Sequence, residues 1–572
     1  MNKVYISLLI AVILSLFMAQ FGYSLFALGF ILISAIGLLS LAEEGGAKSK
    51  IIVTYVLGLT AVFIFVCQNG IGASPTGAIT DGFKVISGTI HLNIFIFLLG
   101  LYVFVNCISY SGIIGELSWK IVKISDGKLP IILVVIMFLT SILSGIFDGA
   151  TVASIMGIIT LTILLSSGMK PSEITMVMLL LVVCTNVGGV WFVLGEPTNI
   201  LAAEKLGISP GFFVKYATPF AVVSIILSSI FAYRLSAKKE KISNSRPELE
   251  VLLEGVSLKR IHSGQGSLLD TMISFGDIEI KRVKEIEENI EKGMPDFEAA
   301  LAAGVKREIV HKALSVNLNS EELSNGLINY WYYTQKNDPM ANIIIGDLLE
   351  YVRAEYKKRS SSRFFVITAG IILLGLLGMH AVYTWIPTWG STIVGGLIAF
   401  IGIPNKAKKN ILKHAWHDLS EAFFLVALFS IISLINITGG FAILGEKLVN
   451  LGDTAVVGIA ILIGSSLLSA VADNIAVMDV ITNLITTSEH WQFFALSAII
   501  GTALGGFCSP IASVQAIILC TLIRRISRIT FKDWVIKIAL FYVILLILYI
   551  GMLFFIDYIG IIPVGEYKPK TL

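Results

Sequence analysis

The sequence predicts an all-α polytopic membrane protein built as an inverted-topology repeat, and three observations carry that prediction. Of 572 residues, 56% are hydrophobic and only 14% are charged, with a mean hydropathy of +0.86. A soluble chain holds about 25% charged residues. Apolar runs recur along the chain, many near the ~20 residues that a helix needs to cross the hydrocarbon core. One polar phrase occurs twice inside apolar sequence, as Ser141-Ile-Leu-Ser144-Gly-Ile-Phe-Asp148 and as Ser466-Leu-Leu-Ser469-Ala-Val-Ala-Asp473.

The elements follow in order. Met1 to Ala19 holds one lysine and then an apolar run; it lacks a small-x-small cleavage site and reads as a retained first helix. Apolar runs at about 24–42, 51–68 and 92–110 precede the first phrase. Residues 130–167 read as a helical hairpin with Asp148 at its tip. Residues 173–206 read as a helix broken at Gly195-Glu196-Pro197-Thr198-Asn199, and 211–233 completes a first membrane half, 1–235. Composition then changes: between 236 and 362, 38 of 127 residues are charged, so this insert is aqueous. It shows helical patterning from Pro295 to Leu318 and from Asn342 to Lys358. The lysines Lys238, Lys239 and Lys241 at one end, and Lys357, Lys358, Arg359 and Arg363 at the other, place it in the cytoplasm by the positive-inside rule.

The second membrane half, 363–572, repeats the plan. Runs at 364–383, 388–404 and 416–436 lead to a hairpin over 454–487 with Asp473 at its tip. A broken helix over 493–523 carries Ser509-Pro510, and a last run covers 535–556. A second shared phrase supports the pairing of the halves: Thr185-Asn-Val-Gly188-Gly189 and Thr502-Ala-Leu-Gly505-Gly506. Full spans at every run conflict with the basic loops at Lys120/Lys123/Lys128, Lys406/Lys408/Lys409/Lys413 and Arg524/Arg525/Arg528. The conflict disappears if each hairpin dips in and returns, the first from the cytoplasm and the second from outside. Such backbone is tolerated at depth only where it is buried in protein or lines a wet cavity.

An ionised carboxylate in a bilayer costs about 2.5–3.5 kcal/mol even on lenient scales, so two of them in matching places point to a function. Breaking a helix in lipid leaves orphan amides and carbonyls. A cation fits against exposed carbonyls, with carboxylate, hydroxyl and amide oxygens completing a hard-oxygen shell. Asp148 with Ser144 and Thr151, and Asp473 with Ser469 and Asn474, are the candidate ligands for a small inorganic cation such as Na+. Pro197 and Pro510 mark unwound segments. Gly188, Gly189, Gly505 and Gly506 permit close backbone approach. Thr185, Asn186, Glu196, Thr198 and Asn199 in the first half, and Thr502, Ser509, Ser513 and Gln515 in the second, are placed to face the tips. Asp479 is a further candidate ligand, or an acid satisfied within its own hairpin arm.

These residues resemble a family. The mirrored halves, the acid-tipped hairpins, Asp473-Asn474 and the Gly195-Glu196-Pro197-Thr198-Asn199 break look like the ion transporter superfamily. That group includes NhaD-type sodium/proton antiporters, arsenite efflux permeases, the melanosomal P protein and citrate carriers. The chain departs in Asp148-Gly149, in Ser509-Pro510-Ile-Ala and in its insert. The resemblance implies a homodimer in the cell (inner or plasma) membrane, with a scaffold and a transport part that moves as an elevator.

The function predicted first is secondary sodium/proton antiport, in which H+ and Na+ compete for the hairpin carboxylates and no cofactor takes part. The alternative is Na+- or H+-coupled carriage of an anion, arsenite or a di- or tricarboxylate; the hairpin and break phrases offer no arginine or lysine to pair with one. An intramembrane aspartyl protease is disfavoured because no Gly-x-Gly-Asp phrase occurs, and an ATP-driven pump because the insert has no phosphate-binding loop. No basic patch with interleaved aromatics suggests nucleic acid, and the five cysteines read as small buried hydrophobes. The insert is a candidate site for a cytoplasmic regulator.

Overall fold

The computed structural model describes residues 2–42, 46–69, 92–147, 149–167, 169–237, 247–255, 268–274, 278–292, 294–316, 321–380, 388–421, 423–438, 440–449, 452–471, 474–486 and 488–565. Every regular element among them is a helix. Five helices are long and apolar enough to cross a membrane, or seven if two bent pairs are each one span. The lysines Lys238, Lys239, Lys241, Lys568 and Lys570 lie outside the described residues.

The last helix, Phe531–Ile559, shows why this chain belongs in lipid. Trp534, Ile538, Phe541, Leu545, Tyr549 and Leu553 recur at helical spacing and are buried against the bundle. Its other face leaves Leu540, Ile547 and Phe555 more than half exposed. Between Lys537 and Asp557 the helix is apolar on all sides, and such a stretch with one face open is stable in hydrocarbon and untenable in water. Thr530 and Asp533 form a reciprocal capping box at its start, which satisfies two orphan amides outside the apolar run.

Two groups of helices pack chiefly among themselves. One holds Asn2–Gln20, Ser24–Ala42, Gly46–Asn69, Leu92–Ser111, Ser360–His380, Thr388–Ile401, Asn405–Glu421 and Phe424–Ile437. Within it Leu92–Ser111 and Thr388–Ile401 cross at Gly100 and Gly396, where a Cβ on Gly100 would sit 2.6 Å from the Thr392 backbone. Small residues at such crossings let helix backbones approach closely in lipid. The other group holds the hairpins and broken helices. Its first hairpin is Leu129–Ile146 with Gly149–Ser166, and its second is Thr454–Ser469 with Asn474–Ile485. Arms of 18 and 18 residues in the first compare with 16 and 12 in the second. At 1.5 Å per residue the shortest arm is about 18 Å, well short of a ~30 Å core. The two groups meet where Asn474–Ile485 packs on Phe424–Ile437, where the Phe104 ring lies against Phe147 at the end of the first hairpin's opening arm, and where Pro210–Phe212 touches Ser360–His380.

Both broken helices break where glycine and proline predict. The first runs Pro171–Gly188, passes through two single 3-10 turns, and restarts at Pro197–Leu206. The second runs Trp491–Gly505 and restarts at Val514–Arg524. The apolar run at 211–233 lies within one helical stretch of span length, Pro210–Ser236, which carries a π turn at Phe213–Ala217 where Pro219 cannot donate the regular helix bond. One expectation needs correction. The insert pattern from Pro295 to Leu318 is two helices, Asp296–Ala302 and Arg307–Val316. Gly304 takes a left-handed backbone (φ +77°), and the Val305 amide closes onto the Ala300 carbonyl, a Schellman stop that hydrophobic periodicity alone does not reveal.

Gly112 bends Leu92–Ser111 by 51° into the amphipathic helix Ile113–Ile124. It has φ +78°, and a Cβ there would lie 2.6 Å from the Tyr356 ring. Gly112→Ala is therefore expected to cost about 1–2 kcal/mol from the left-handed backbone alone, plus the clash. A lowered melting temperature in detergent checks this.

Candidate functional site

The two polar phrases and the two glycine phrases pack on each other in matched pairs. Gly188, which ends the first broken helix's opening segment, lies against Ser141: a Cβ would sit 2.5 Å from the Ser141 carbonyl. Gly505, at the matching place in the second half, lies against the Ser466 carbonyl and the Ser469 side chain, again well inside 3.0 Å. Real Cβ atoms do not tolerate such distances, so glycine is required at both places. Ser144 Oγ then donates to the Thr185 carbonyl at 2.5 Å, which joins the first hairpin to the first broken helix. Ser509 Oγ donates to the Ala470 carbonyl at 2.6 Å, which joins the second break to the second hairpin.

The tip aspartates Asp148 and Asp473 lie outside the described residues. Their neighbours are described, and they converge from both halves. Gly149, the first residue of the hairpin's return arm, faces the Gln515 amide and sits with Ser144 Oγ 3.1 Å from its Cβ position. Gln515 Nε2 donates to Glu196 Oε1 at 3.1 Å, so the second broken helix reaches across to the first. Glu196 in turn folds over Gly189, and Thr198 Oγ1 lies 3.4 Å from its other carboxylate oxygen. Asn199 Nδ2 donates to the carbonyls of Gly189 (2.7 Å) and Phe192 (3.0 Å), satisfying two acceptors that the break releases. Three helices begin around Gln515: Gly149–Ser166, Pro197–Leu206 and Val514–Arg524.

A second cluster lies between the ends of the opening segments. Asn186, Asn474 and Gly506 come from the first break, the second hairpin and the second break. A Cβ on Gly506 would meet Asn186 Oδ1, and would lie 2.9 Å from Asn474 Nδ2. Asn186 is fully buried; its amide nitrogen donates to the Val182 carbonyl at 2.9 Å, while its Oδ1 has no donor among the described residues. Ser469 Oγ donates to Asn474 Oδ1.

Other expected residues are placed differently. The Thr185 and Thr502 hydroxyls donate three residues back into their own helices, to Val182 and Ile499, at 2.9 and 3.0 Å. Thr151 is buried near the start of its arm, where its carbonyl accepts from Ser154 Oγ. Pro510 lies in the irregular stretch before Val514, whose helix Ser513 caps by accepting from the Ala516 amide. Asp479 forms an ion pair with Lys205, the side chain that the sequence reading passes over. Asp479 is fully buried in the second hairpin, and Lys205 ends the first broken helix. A lysine eight residues after Pro197 gave no local sign of facing an acid in the other half.

Helical hairpins, broken helices and helix termini meeting among apolar helices define a multi-pass membrane protein. The particular family follows from comparison: a family model described as citrate transporter (CitMHS) matches residues 10–501, and the chain belongs to that family of secondary transporters. The match falls on the citrate transporters of the ion transporter superfamily and leaves the antiporter branch unsupported. No curated protein matches the chain.

Proposed function

We propose that the chain carries a citrate-like tricarboxylate across the membrane, coupled to a cation held near the hairpin acids. The observation that carries this reading is the convergence of three helix N-termini on Gln515 in a chain of the citrate transporter family. Helix N-termini present amides and partial positive charge, which favour carboxylates. The neutral amide of Gln515 adds a donor that does not repel an anion. The opposite pole, where Pro171–Gly188 and Trp491–Gly505 end, presents carbonyl oxygens and the unfilled Asn186 acceptor. Helix C-termini favour cations. Asp148 and Asp473 would complete that cation site, with Na+ or H+ as the coupling ion. A cation bound beside the anion also screens it from the hairpin acids.

In this reading the halves are inverted repeats, the hairpins are re-entrant, and the insert is cytoplasmic. The group holding hairpins and broken helices slides as an elevator against the other group, which forms the contact of a homodimer. The two self-contained packing groups support such a division.

Purified protein in proteoliposomes tests the proposal. Labelled citrate uptake should require an imposed Na+ or pH gradient, and Asp148→Asn or Asp473→Asn should abolish it. Sodium/proton exchange without any citrate flux would establish the antiport reading in its place.

A further inference from the structure

The insert holds both packing groups: Pro247–Gly255 packs on Ile113–Ile124 and on the first hairpin's return arm, Gly149–Ser166, and two sets of side-chain bonds add a grip at each end. Its helix Arg307–Val316 docks on the end of the first hairpin's return arm. His311 is buried, and its Nδ1 lies 2.7 Å from the Leu165 carbonyl. Its Nε2 accepts from Arg307 Nε at 3.1 Å, so the imidazole is neutral with its proton on Nδ1. The Arg307 guanidinium also donates to the Met169 carbonyl. These two side chains therefore satisfy carbonyls that the ending helix Gly149–Ser166 and its exit turn leave open. Phe297 packs edge-on against the His311 ring, 5.3 Å between centroids, and fixes its angle.

At its other end the insert is bound to the group that holds Leu92–Ser111. Tyr356 Oη donates to the Gly112 carbonyl at 3.0 Å and Arg359 donates to the Tyr110 carbonyl at 2.8 Å, and Arg363, just past the insert, pairs with Glu116 at 2.7 Å. Continuous packing joins the two grips. Pro247–Gly255 packs on Met340–Lys358, with Arg353 on Glu250 at 3.2 Å, and Tyr351 donates to Glu322 at 2.9 Å in the helix Glu321–Gln335.

We propose that the insert is a brake: a strap that ties the hairpin-bearing group to the other group through Arg307 and His311, so that transport requires this grip to open. The inference rests on the sliding-group reading given above. Neither side chain touches the candidate site, so both act on transport only through the position of the hairpin arm.

Three variants test it in proteoliposomes, with citrate uptake and sodium/proton exchange both followed. In Leu165→Cys/His311→Cys, a reductant-cleavable bifunctional thiosulfonate bridges insert to hairpin, with each single variant as a control for the native cysteines. Bridging should stop whichever flux the unbridged protein carries, and reduction should restore it. In Arg307→Ala/His311→Ala the maximal rate should rise at least twofold with KM unchanged, whereas His311→Asn, which keeps a donor to Leu165, should match the wild type. Full flux in the bridged protein, or a lower maximal rate in the double alanine variant, would overturn the brake. A flux of Na+ and H+ alone that bridging still stops would instead remove the citrate reading and leave the brake standing.

Discussion

Gly506→Ala is expected to drop substrate uptake below a hundredth of the wild-type rate while the protein still folds and inserts, a change of at least ~2.7 kcal/mol. The backbone at Gly506 is right-handed (φ −58°, ψ −17°), so alanine brings no conformational strain. The conflict is between side chains: the new methyl would occupy the space between Asn186 Oδ1 and Asn474 Nδ2. Either the amides rotate away from the space they face, or the two breaks separate. Both outcomes misplace groups that must be held within fractions of an ångström. Gly464→Ala is the control, because nothing lies within 4 Å of its Cβ position. In a helix interior that change should stabilise by about 0.5–1 kcal/mol. Initial uptake rates, with melting temperature as the folding check, decide the matter; equal uptake by Gly506→Ala and Gly464→Ala would show that the amide pair has no part in transport.

Lys205→Ala should be the most destabilising single substitution on the ion-pair side of the site. Asp479 is fully buried, and among the described residues no donor other than Lys205 reaches its carboxylate. Removing one partner of a buried pair strands the other charge, at a cost of about 3–5 kcal/mol. Replacing both with apolar or neutral groups of similar size removes that cost, so Lys205→Met/Asp479→Asn should recover most of the lost stability. Thermal unfolding in detergent of the wild type, Lys205→Met, Asp479→Asn and the double variant gives the coupling directly. If Lys205→Ala melts where the wild type does, the pair contributes nothing to holding the two halves together. This link runs from the first broken helix to the second hairpin, so its loss should also loosen the contact between Pro197–Leu206 and Asn474–Ile485.

Much of the site was legible because its signals are local. Gly188 and Gly505 stand out because each belongs to a repeated Thr-x-x-Gly-Gly phrase within apolar sequence, and each meets a serine of its own half's other phrase. Pro197 and Pro510 mark breaks because proline cannot donate the helix bond. The helix N-termini at Pro197 and Val514 follow from those breaks, and the one at Gly149 from the hairpin turn. The meeting of Asn186 with Asn474, of Gln515 with Glu196, and of Lys205 with Asp479 was not legible. Each joins residues from different halves, and no periodicity in one segment says which face of a distant helix it will meet. The Thr185 and Thr502 hydroxyls illustrate the same limit: a threonine in a helix can bond its own preceding turn or project outward, and only the packed neighbours select between them.

The grip of Arg307 and His311 on the first hairpin lies further still from any sequence signal. Their spacing of four puts them on one helix face, which is a statement about the insert alone. That this face caps the carbonyls of Leu165 and Met169 is a tertiary fact.

What the amino-acid sequence settled by itself is the solvent and the segmentation: composition places the helices in lipid, the charged stretch in water, and glycine and proline set where helices bend or stop. These are properties of single segments, governed by transfer free energy and backbone geometry. Which side chains share a site, which helices form one packing group, and where the insert holds the bundle were decided only by the tertiary structure. Those outcomes depend on contacts between segments far apart in the chain, and their energies exist only after the helices have packed.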